Sequence, residues 1–292
     1  MRITQRAVTL TSLQGLNRNL DDLGKLQQQL TSGRAISRPS DSPTGTNTAM
    51  QTRTEQASVE QQARNVTDAK AWLDQGGSTL MEMMDVVKRV RNLALQGNNA
   101  ASSPASQQAL AIEVDSLREG LLGMANTKVM GRPLFGGVTA GPIAYDATGA
   151  FVGDDRAEVT RRVSDSELLR VNLTGPEAFG VGAGDLFSVV GRIADDLTGN
   201  VPGLEADLAD LDALFQRMTG ALADIGARGA RLEQAEQVNQ DRQLTLRTQL
   251  GRVEDIDLPK TIMDVQMKQM GYEAALAATA KSISPTLMDY LR

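Results

Sequence analysis

The sequence, 292 residues long, contains no cysteine and no histidine. The absence of cysteine excludes disulfide bonds and thiolate metal sites. The absence of histidine removes the commonest general base and the commonest metal ligand. Together the two absences exclude Ser-His-Asp catalysis, Cys-His catalysis and ordinary zinc chemistry. Only carboxylate, lysine or Ser-Lys chemistry remains conceivable, and we expect neither a metal site nor a cofactor.

Aromatic side chains are also scarce, at 3% of the chain, and the hydrophobic fraction is 41%. Large rings dominate the buried area of many cores. A chain with so few of them must bury Leu, Val, Ile, Ala and Met along the seams between helices. The composition therefore predicts an extended, mainly α-helical protein and disfavours a single thick core.

The net charge of −6 is unevenly distributed. Residues 1–38 hold six basic and two acidic side chains, whereas residues 140–216 hold five basic and fourteen acidic ones. A nucleic-acid-binding protein would need a dense Lys/Arg face, so we expect no nucleic-acid partner. No apolar run approaches the roughly 18 residues of a membrane span, so we expect no membrane partner. The first twenty residues lack the apolar core of a secretory signal peptide, so secretion would require another export route.

Proline is absent from two long stretches, in which apolar residues recur at alternating steps of three and four. Because proline breaks a helix interior, these stretches predict long helices. Gly76 and Gly77 lie inside the first of them and are interpreted as a close contact with another helix or a slight bend, with a functional hinge as the alternative. Ser103 and Pro104 suit the cap and the first position of a further helix. The predicted helices cover residues 1–31, 44–96, 104–127, 186–197, 203–254 and 259 onward.

Each end of the chain carries a heptad seam, an apolar stripe that a partner helix must cover. Antiparallel pairing of the two terminal helices would cover both stripes. A second row, Met263, Met267 and Met270, widens the C-terminal stripe, so we expect neighbouring subunits to supply further partner helices. The predicted assembly seam consists of Leu13, Leu16, Leu20, Leu23, Leu30, Leu258, Ile262, Val265, Tyr272, Leu276 and Ile283.

Residues 131–184 differ from the rest, because they are dense in glycine and contain short alternating segments typical of strands. Two such segments are residues 157–163 and 168–174. Residues 180–184 have the glycine spacing of a phosphate-binding loop, but no apolar strand precedes them and no Lys-Ser/Thr follows. We interpret them as a turn capped by Asp185. The segment as a whole predicts a small β-rich insertion.

The apolar stripe of the second long helix turns polar at Glu236, Asn239 and Gln243. A polar stripe usually indicates a solvated side of a helix. Contact with a neighbouring copy is the alternative that the sequence leaves open.

The order of the segments predicts three layers in an elongated, rod-like molecule. Residues 1–42 and 255–292 form terminal arms paired as a coiled coil. Residues 43–140 and 185–254 form a helical bundle layer, and residues 141–184 form a small outer β-rich domain. Because each helical layer combines an N-terminal and a C-terminal piece, the outer domain is expected to lie far from the termini.

Several long motifs are similar to elements of one known group, the bacterial flagellin family. The resemblance covers roughly residues 1–140 and 185–292, and the β-rich insertion carries little of it. The motifs are MRITQ (residues 1–5), LTSGRAISRPSD (30–41), ANTK followed by GRPLFGG (125–137), YEAALAATA (272–280) and LMDYL (287–291).

The resemblance implies a structural role without enzymatic activity. It implies a secreted subunit of the extracellular flagellum that packs its terminal helices against neighbours, forming the junction between hook-associated protein 1 and the flagellin filament. The implied partners are a ring of copies of the chain itself, hook-associated protein 1 and flagellin. Export would be in the unfolded state through the flagellar type III apparatus, with a chaperone on the C-terminal arm.

Three alternatives remain open at this point. The terminal Arg292 resembles flagellin itself, so the chain could be a filament subunit. Heptads alone would also suit a cytoplasmic coiled-coil adaptor, which would be a fully helical and protease-resistant dimer. An enzyme would need to use carboxylates such as Asp154 and Asp155 or Asp195 and Asp196. Adjacent residues do not face one another on a helix, so these pairs are interpreted as solvated surface.

Overall fold

The computed structural model describes residues 2–98 and 103–283, with side chains described from residue 10 to 98 and 103 to 280. The LMDYL motif, Pro285 and Arg292 lie outside the described residues, as do Met1 and the side chains of the rest of the MRITQ motif.

The described chain is mainly α-helical with two small antiparallel sheets, which confirms the predicted fold class. Helix boundaries agree with the predicted ones to within a few residues. The elements are α1 (Arg2–Ser32), α2 (Pro43–Gly97), α3 (Pro104–Ala125), β1 (Lys128–Val129), β2 (Arg132–Pro133), β3 (Thr160–Arg162), β4 (Leu168–Arg170), α4 (Gly175–Phe179), α5 (Leu186–Gly199), α6 (Leu204–Glu254) and α7 (Leu258–Ile283).

Local capping explains why several helices begin and end where they do. The Ser103 hydroxyl accepts a hydrogen bond from the Ser106 amide at 3.2 Å, and Pro104 occupies the first turn of α3. The Asp185 carboxylate accepts one from the Ser188 amide at 2.7 Å, so Asp185 ends the glycine-rich turn, as predicted, and is also the N-cap of α5. Gly33 follows α1 with a φ of +70°, a conformation that glycine adopts without strain.

Residue contacts divide the chain into two compact units. One combines the two ends of the chain, Met1–Ser58 and Gln243–Arg292, and the other is Val59–Arg242. Residues 141–184 belong to the second unit together with most of α2 and α6 and all of α3 and α5. The division into three assembly layers stays a prediction.

The core of the second unit is built by helix packing, with the insertion contributing to it. Buried Leu, Val and Ala side chains of α2, α3, α5 and α6 form one cluster with side chains from residues 134–179. Ideal Cβ atoms placed on Gly76 and Gly77 would lie 3.7 and 3.6 Å from the Ile225 side chain. The two glycines therefore mark the close approach of α2 to α6 that the sequence predicted.

The scarce aromatic residues are concentrated at one place in this core. Five of the nine in the chain pack edge to face or tilted, with ring centroids 4.7–6.0 Å apart. The rings come from α4, α5 and the loops of the insertion, so they bind those loops to the helices. They are Phe135, Tyr145, Phe151, Phe179 and Phe187.

The sheets are smaller than the sequence indicated. Strands β1 and β2 form a hairpin whose two-residue loop, Met130 and Gly131, has positive φ at both positions, 50° and 80°. Strands β3 and β4 pair over three residues each, although seven-residue strands were predicted. An ideal Cβ on Gly137 would lie 1.9 Å from the Asp154 carbonyl oxygen, so only glycine allows this backbone approach.

The polar stripe of α6 is buried at Asn239, whereas Glu236 and Gln243 are half-buried, which corrects the interpretation of a solvated side at Asn239. Asn239 is only 1% exposed, and its side-chain amide donates to the Val163 carbonyl in the β3–β4 turn at 3.1 Å. From α2, the Asn65 amide donates to the Arg162 carbonyl at 2.9 Å. The turn leaves carbonyl groups unpaired by strand hydrogen bonds, and polar helix residues satisfy them. The insertion therefore packs along α2 and α6.

We expect Phe187→Ala to destabilise the second unit by about 3–5 kcal/mol, because it removes a fully buried ring from the aromatic cluster. Leu168→Ala is the control: this side chain is 59% exposed, and the change should stay within about 0.5 kcal/mol. Chemical denaturation followed by circular dichroism measures both. Equal losses of stability in the two variants would contradict the assignment of the core.

Candidate functional site

Helices α1 and α7 lie side by side in the unit formed by the chain ends. The Lys268 ammonium contacts the Asp22 carboxylate at 2.8 Å. Just after the end of α1, the carbonyl of Gly33 accepts a hydrogen bond at 3.2 Å from the amide of Ile256, which lies just before the start of α7. Because the residue number rises in α1 as it falls in its partner, the two helices run antiparallel, as the seam predicted.

Pairing covers only part of the predicted seam. Val265 is buried, with 9% exposure, and four other seam residues are half-buried. Five more remain between 40% and 52% exposed, and Ile283 ends α7 with its side chain outside the described residues. The half-buried residues are Leu16, Leu23, Leu30 and Tyr272, and the exposed ones are Leu13, Leu20, Leu258, Ile262 and Leu276.

The second row on α7 is more exposed than the seam itself. Met263, Met267 and Met270 are 58–62% exposed, and Leu10 on α1 is 58% exposed. We call these four residues and the five exposed seam residues the open arm residues. Large apolar side chains left at helical spacing on a polar chain mark a surface that binds a partner.

An ion pair and hydrogen bonds at the end of α6 hold the segment that follows α1. Glu254, at the end of α6, is buried, and its carboxylate contacts the Arg53 guanidinium at 2.8 Å. Its backbone carbonyl accepts a hydrogen bond from the Ala35 amide at 2.6 Å. The Gln29 side chain donates to the Ala35 carbonyl at 2.9 Å. The LTSGRAISRPSD motif is therefore held against the end of α6.

The rest of the motif is fixed by Asp41. Its carboxylate accepts hydrogen bonds from the amides of Ser37 and Arg38, at 3.1 and 2.8 Å, which folds the segment into a tight turn. Beside this turn is a cavity of about 510 Å³. Its lining includes Arg34, Ile36, Arg38, Ala49, Met50, Arg53 and Glu254. Pro39 and Asp41 are residue types typical of turns, and they were the local signals of this turn in the sequence.

The acidic pairs that an enzyme would need are engaged in structural contacts. Asp154 accepts hydrogen bonds from the Arg156 side chain and amide, which lower its pKa to about 2. Asp195 is exposed, but Asp196 is half-buried, which corrects the interpretation of that pair as solvated. Burial, and then the nearby charge of Asp207, raise the pKa of Asp196.

Within residues 2–98 and 103–283, no group of three or more acidic residues has the geometry of a metal site. In the same part of the chain, no helix has an apolar stretch long enough to cross a bilayer.

The Asp22–Lys268 contact makes the pairing of α1 and α7 sensitive to acid. The hydrogen bond from Lys268, and then its positive charge, lower the pKa of Asp22 below the ordinary 3.8. The pKa of Asp22 is lower in the folded state than in the unfolded state. The contribution of this contact to the free energy of unfolding is therefore complete well above pH 3.8, and it is lost as the pH falls through the folded-state pKa. We expect Asp22→Asn to remove this part of the acid sensitivity.

Thermal unfolding followed by circular dichroism, from neutral pH to below pH 3.8, measures the effect. Asp21→Asn removes the same charge from the neighbouring position and is the control, which should keep the acid sensitivity of the parent protein. An Asp22→Asn profile that matches the parent at every pH would show that the contact contributes nothing in solution.

Comparison with known proteins relates this chain to bacterial flagella. Residues 3–140 match the family described as the bacterial flagellin N-terminal helical region. Flagellar hook-associated protein 3 of Salmonella typhimurium is 22% identical, over 97% of this chain and 96% of that protein. A flagellin of Bacillus subtilis is 24% identical, over 97% of this chain and 96% of its own length.

The fold has solved counterparts. The crystal structure of the flagellar junction protein FlgL from Legionella pneumophila superposes with a TM-score of 0.57. The alignment covers 71% of this chain and 99% of that one, at 17% identity, so it establishes similarity of fold. Residues 3–140 therefore carry the N-terminal helical region of bacterial flagellins, and the chain is similar along nearly its whole length to flagellar proteins.

Proposed function

We propose that this chain is a structural subunit of the bacterial flagellum and forms the junction between the hook and the filament. The observation that carries the proposal is the set of open arm residues, which a single chain leaves uncovered after α1 and α7 have paired. The relatives named hook-associated protein 3 and FlgL support the junction over other flagellar positions. No catalytic role is proposed.

The predicted seam is the proposed assembly surface. Burying one large apolar side chain stabilises an interface by roughly 1.5–3 kcal/mol, and nine such side chains are available on α1 and α7. The occupant is the corresponding pair of terminal helices in neighbouring subunits, because these carry the same incompletely covered stripes. In this arrangement residues 1–42 and 255–292 form the innermost layer, residues 43–140 and 185–254 the next, and residues 141–184 the outermost.

The neighbours we propose are copies of the chain in a ring, hook-associated protein 1 on one side and flagellin on the other. The location that follows is the extracellular flagellum. We propose export through the flagellar type III apparatus with the help of a chaperone. Support comes from the match of residues 3–140 to the bacterial flagellin N-terminal helical region.

A filament subunit is the second candidate, favoured by the flagellin of Bacillus subtilis that aligns along nearly the whole chain. Assembly separates the two functions. Purified protein should add to hooks isolated from a strain that lacks this gene and stop as a short ring, which electron microscopy can measure. Long filaments of this chain alone would establish the second candidate, and failure to bind the hook ends would overturn both.

We expect Leu276→Pro to abolish binding to those hooks while the second unit stays folded. Proline removes a helix hydrogen bond and clashes with the preceding turn, at a cost of roughly 3 kcal/mol or more in α7. Co-sedimentation with hooks measures the binding, and circular dichroism measures the remaining helix.

Gly271→Ala is the matched variant in the same helix. No atom lies within 4 Å of the added Cβ outside the helix itself, so alanine should raise helix stability by up to about 1 kcal/mol and keep binding. Undiminished binding by Leu276→Pro would show that the C-terminal arm is not part of the assembly surface.

A further inference from the structure

The described methionines differ widely in their access to solvent, and six of them, including Met50, Met81 and Met130, are more than half exposed. Three of them, Met263, Met267 and Met270, are 58–62% exposed and are spaced four and three residues apart, so they share one face of α7. By contrast, Met83 and Met218 are fully buried in the core of the second unit. The same protein therefore offers an accessible thioether row and an internal reference.

We propose that Met263, Met267 and Met270 are an oxidation site for hydrogen peroxide, and that their oxidation prevents assembly through α7. In each step the thioether sulfur attacks one peroxide oxygen, the O–O bond breaks and an S–O bond forms. The released hydroxide takes the remaining proton and leaves as water. The products are one methionine sulfoxide and one water for each peroxide consumed.

Sulfoxide formation changes the surface at the place where apolar contact is needed. It converts a flexible apolar side chain into a polar one, and a polar group buried without a partner is costly. Each oxidised methionine is expected to weaken association through the arm about tenfold to a hundredfold, the value of one buried side chain. The expected loss of association rests on the proposed assembly role, whereas the expected oxidation of the α7 row does not.

The chain cannot reverse the reaction by itself. Reduction of methionine sulfoxide uses a dedicated reductase with thiol chemistry, and this sequence contains no cysteine. Because α7 is exposed before assembly and would be covered afterwards, oxidation acts as a check on unassembled subunits. A subunit oxidised before it docks is excluded, whereas one that has docked is protected.

Peptide mapping by mass spectrometry tests the oxidation half on the free, full-length protein. After a timed treatment with hydrogen peroxide, Met263, Met267 and Met270 should carry sulfoxide at rates at least several-fold above those of Met83 and Met218. Equal rates in the two groups would overturn the proposal. Any treatment that unfolds the second unit is identified by circular dichroism of the same samples and is shortened until the core is intact.

Co-sedimentation with isolated hooks tests the assembly half, after peroxide has been removed. The protected variant replaces the α7 row by leucine, a change of similar volume (M263L, M267L and M270L together). The control variant makes the same replacement at three exposed methionines elsewhere (M50L, M81L and M130L together). Peroxide should abolish hook binding by the parent and by the control variant, and should leave the protected variant binding as before treatment.

The outcomes separate the two proposals. Loss of binding by the protected variant after treatment would show that other oxidation events decide assembly, and it would overturn the inference. Unchanged binding by the fully oxidised parent would do the same. If untreated parent protein does not bind hooks, the proposed function fails and the assembly half fails with it, while the peptide map still decides whether the α7 row is the oxidation site.

Discussion

An amphipathic helix in water is stable only where something covers its apolar stripe, and this chain meets that constraint in two different ways. In the second unit, α2, α3, α5 and α6 cover one another, and five aromatic rings fill the space under the insertion. In the unit formed by the chain ends, α1 and α7 pack against each other, yet nine of their large apolar side chains stay in contact with solvent. The same periodicity thus produces a closed core in one unit and an incomplete surface in the other.

Helix positions could be predicted from the sequence because local chemistry decides them. Proline-free stretches, the Ser103–Pro104 start of α3 and the glycine after α1 each act within a few residues. Strand lengths were overestimated because alternation indicates a half-buried segment, whereas pairing depends on a distant partner. The five-residue helix α4 was not predicted, because it is too short for periodicity to reveal.

The candidate site was predictable in its residues but not in its exposure. A heptad pattern shows where an apolar stripe lies on a helix but not how many other helices cover it. Val265 and Ile262 therefore looked equivalent in the sequence, although Val265 is buried and Ile262 is 40% exposed. Polar contacts between remote residues gave no signal. Arg53 and Glu254 are 201 positions apart, and the partner of Asn239 is the backbone of a turn that sequence reasoning could not place.

The contact between Asp22 and Lys268 joins residues 246 positions apart, which constrains the order of folding. A chain that emerges from its N-terminus makes α1 first, but the partner of α1 is the last helix to appear. Closing so long a loop costs entropy before any contact repays it. The second unit can complete its core beforehand, so the ends come together last. Helix α1 is therefore synthesised first but is among the last to pack, because its partner α7 is synthesised so much later.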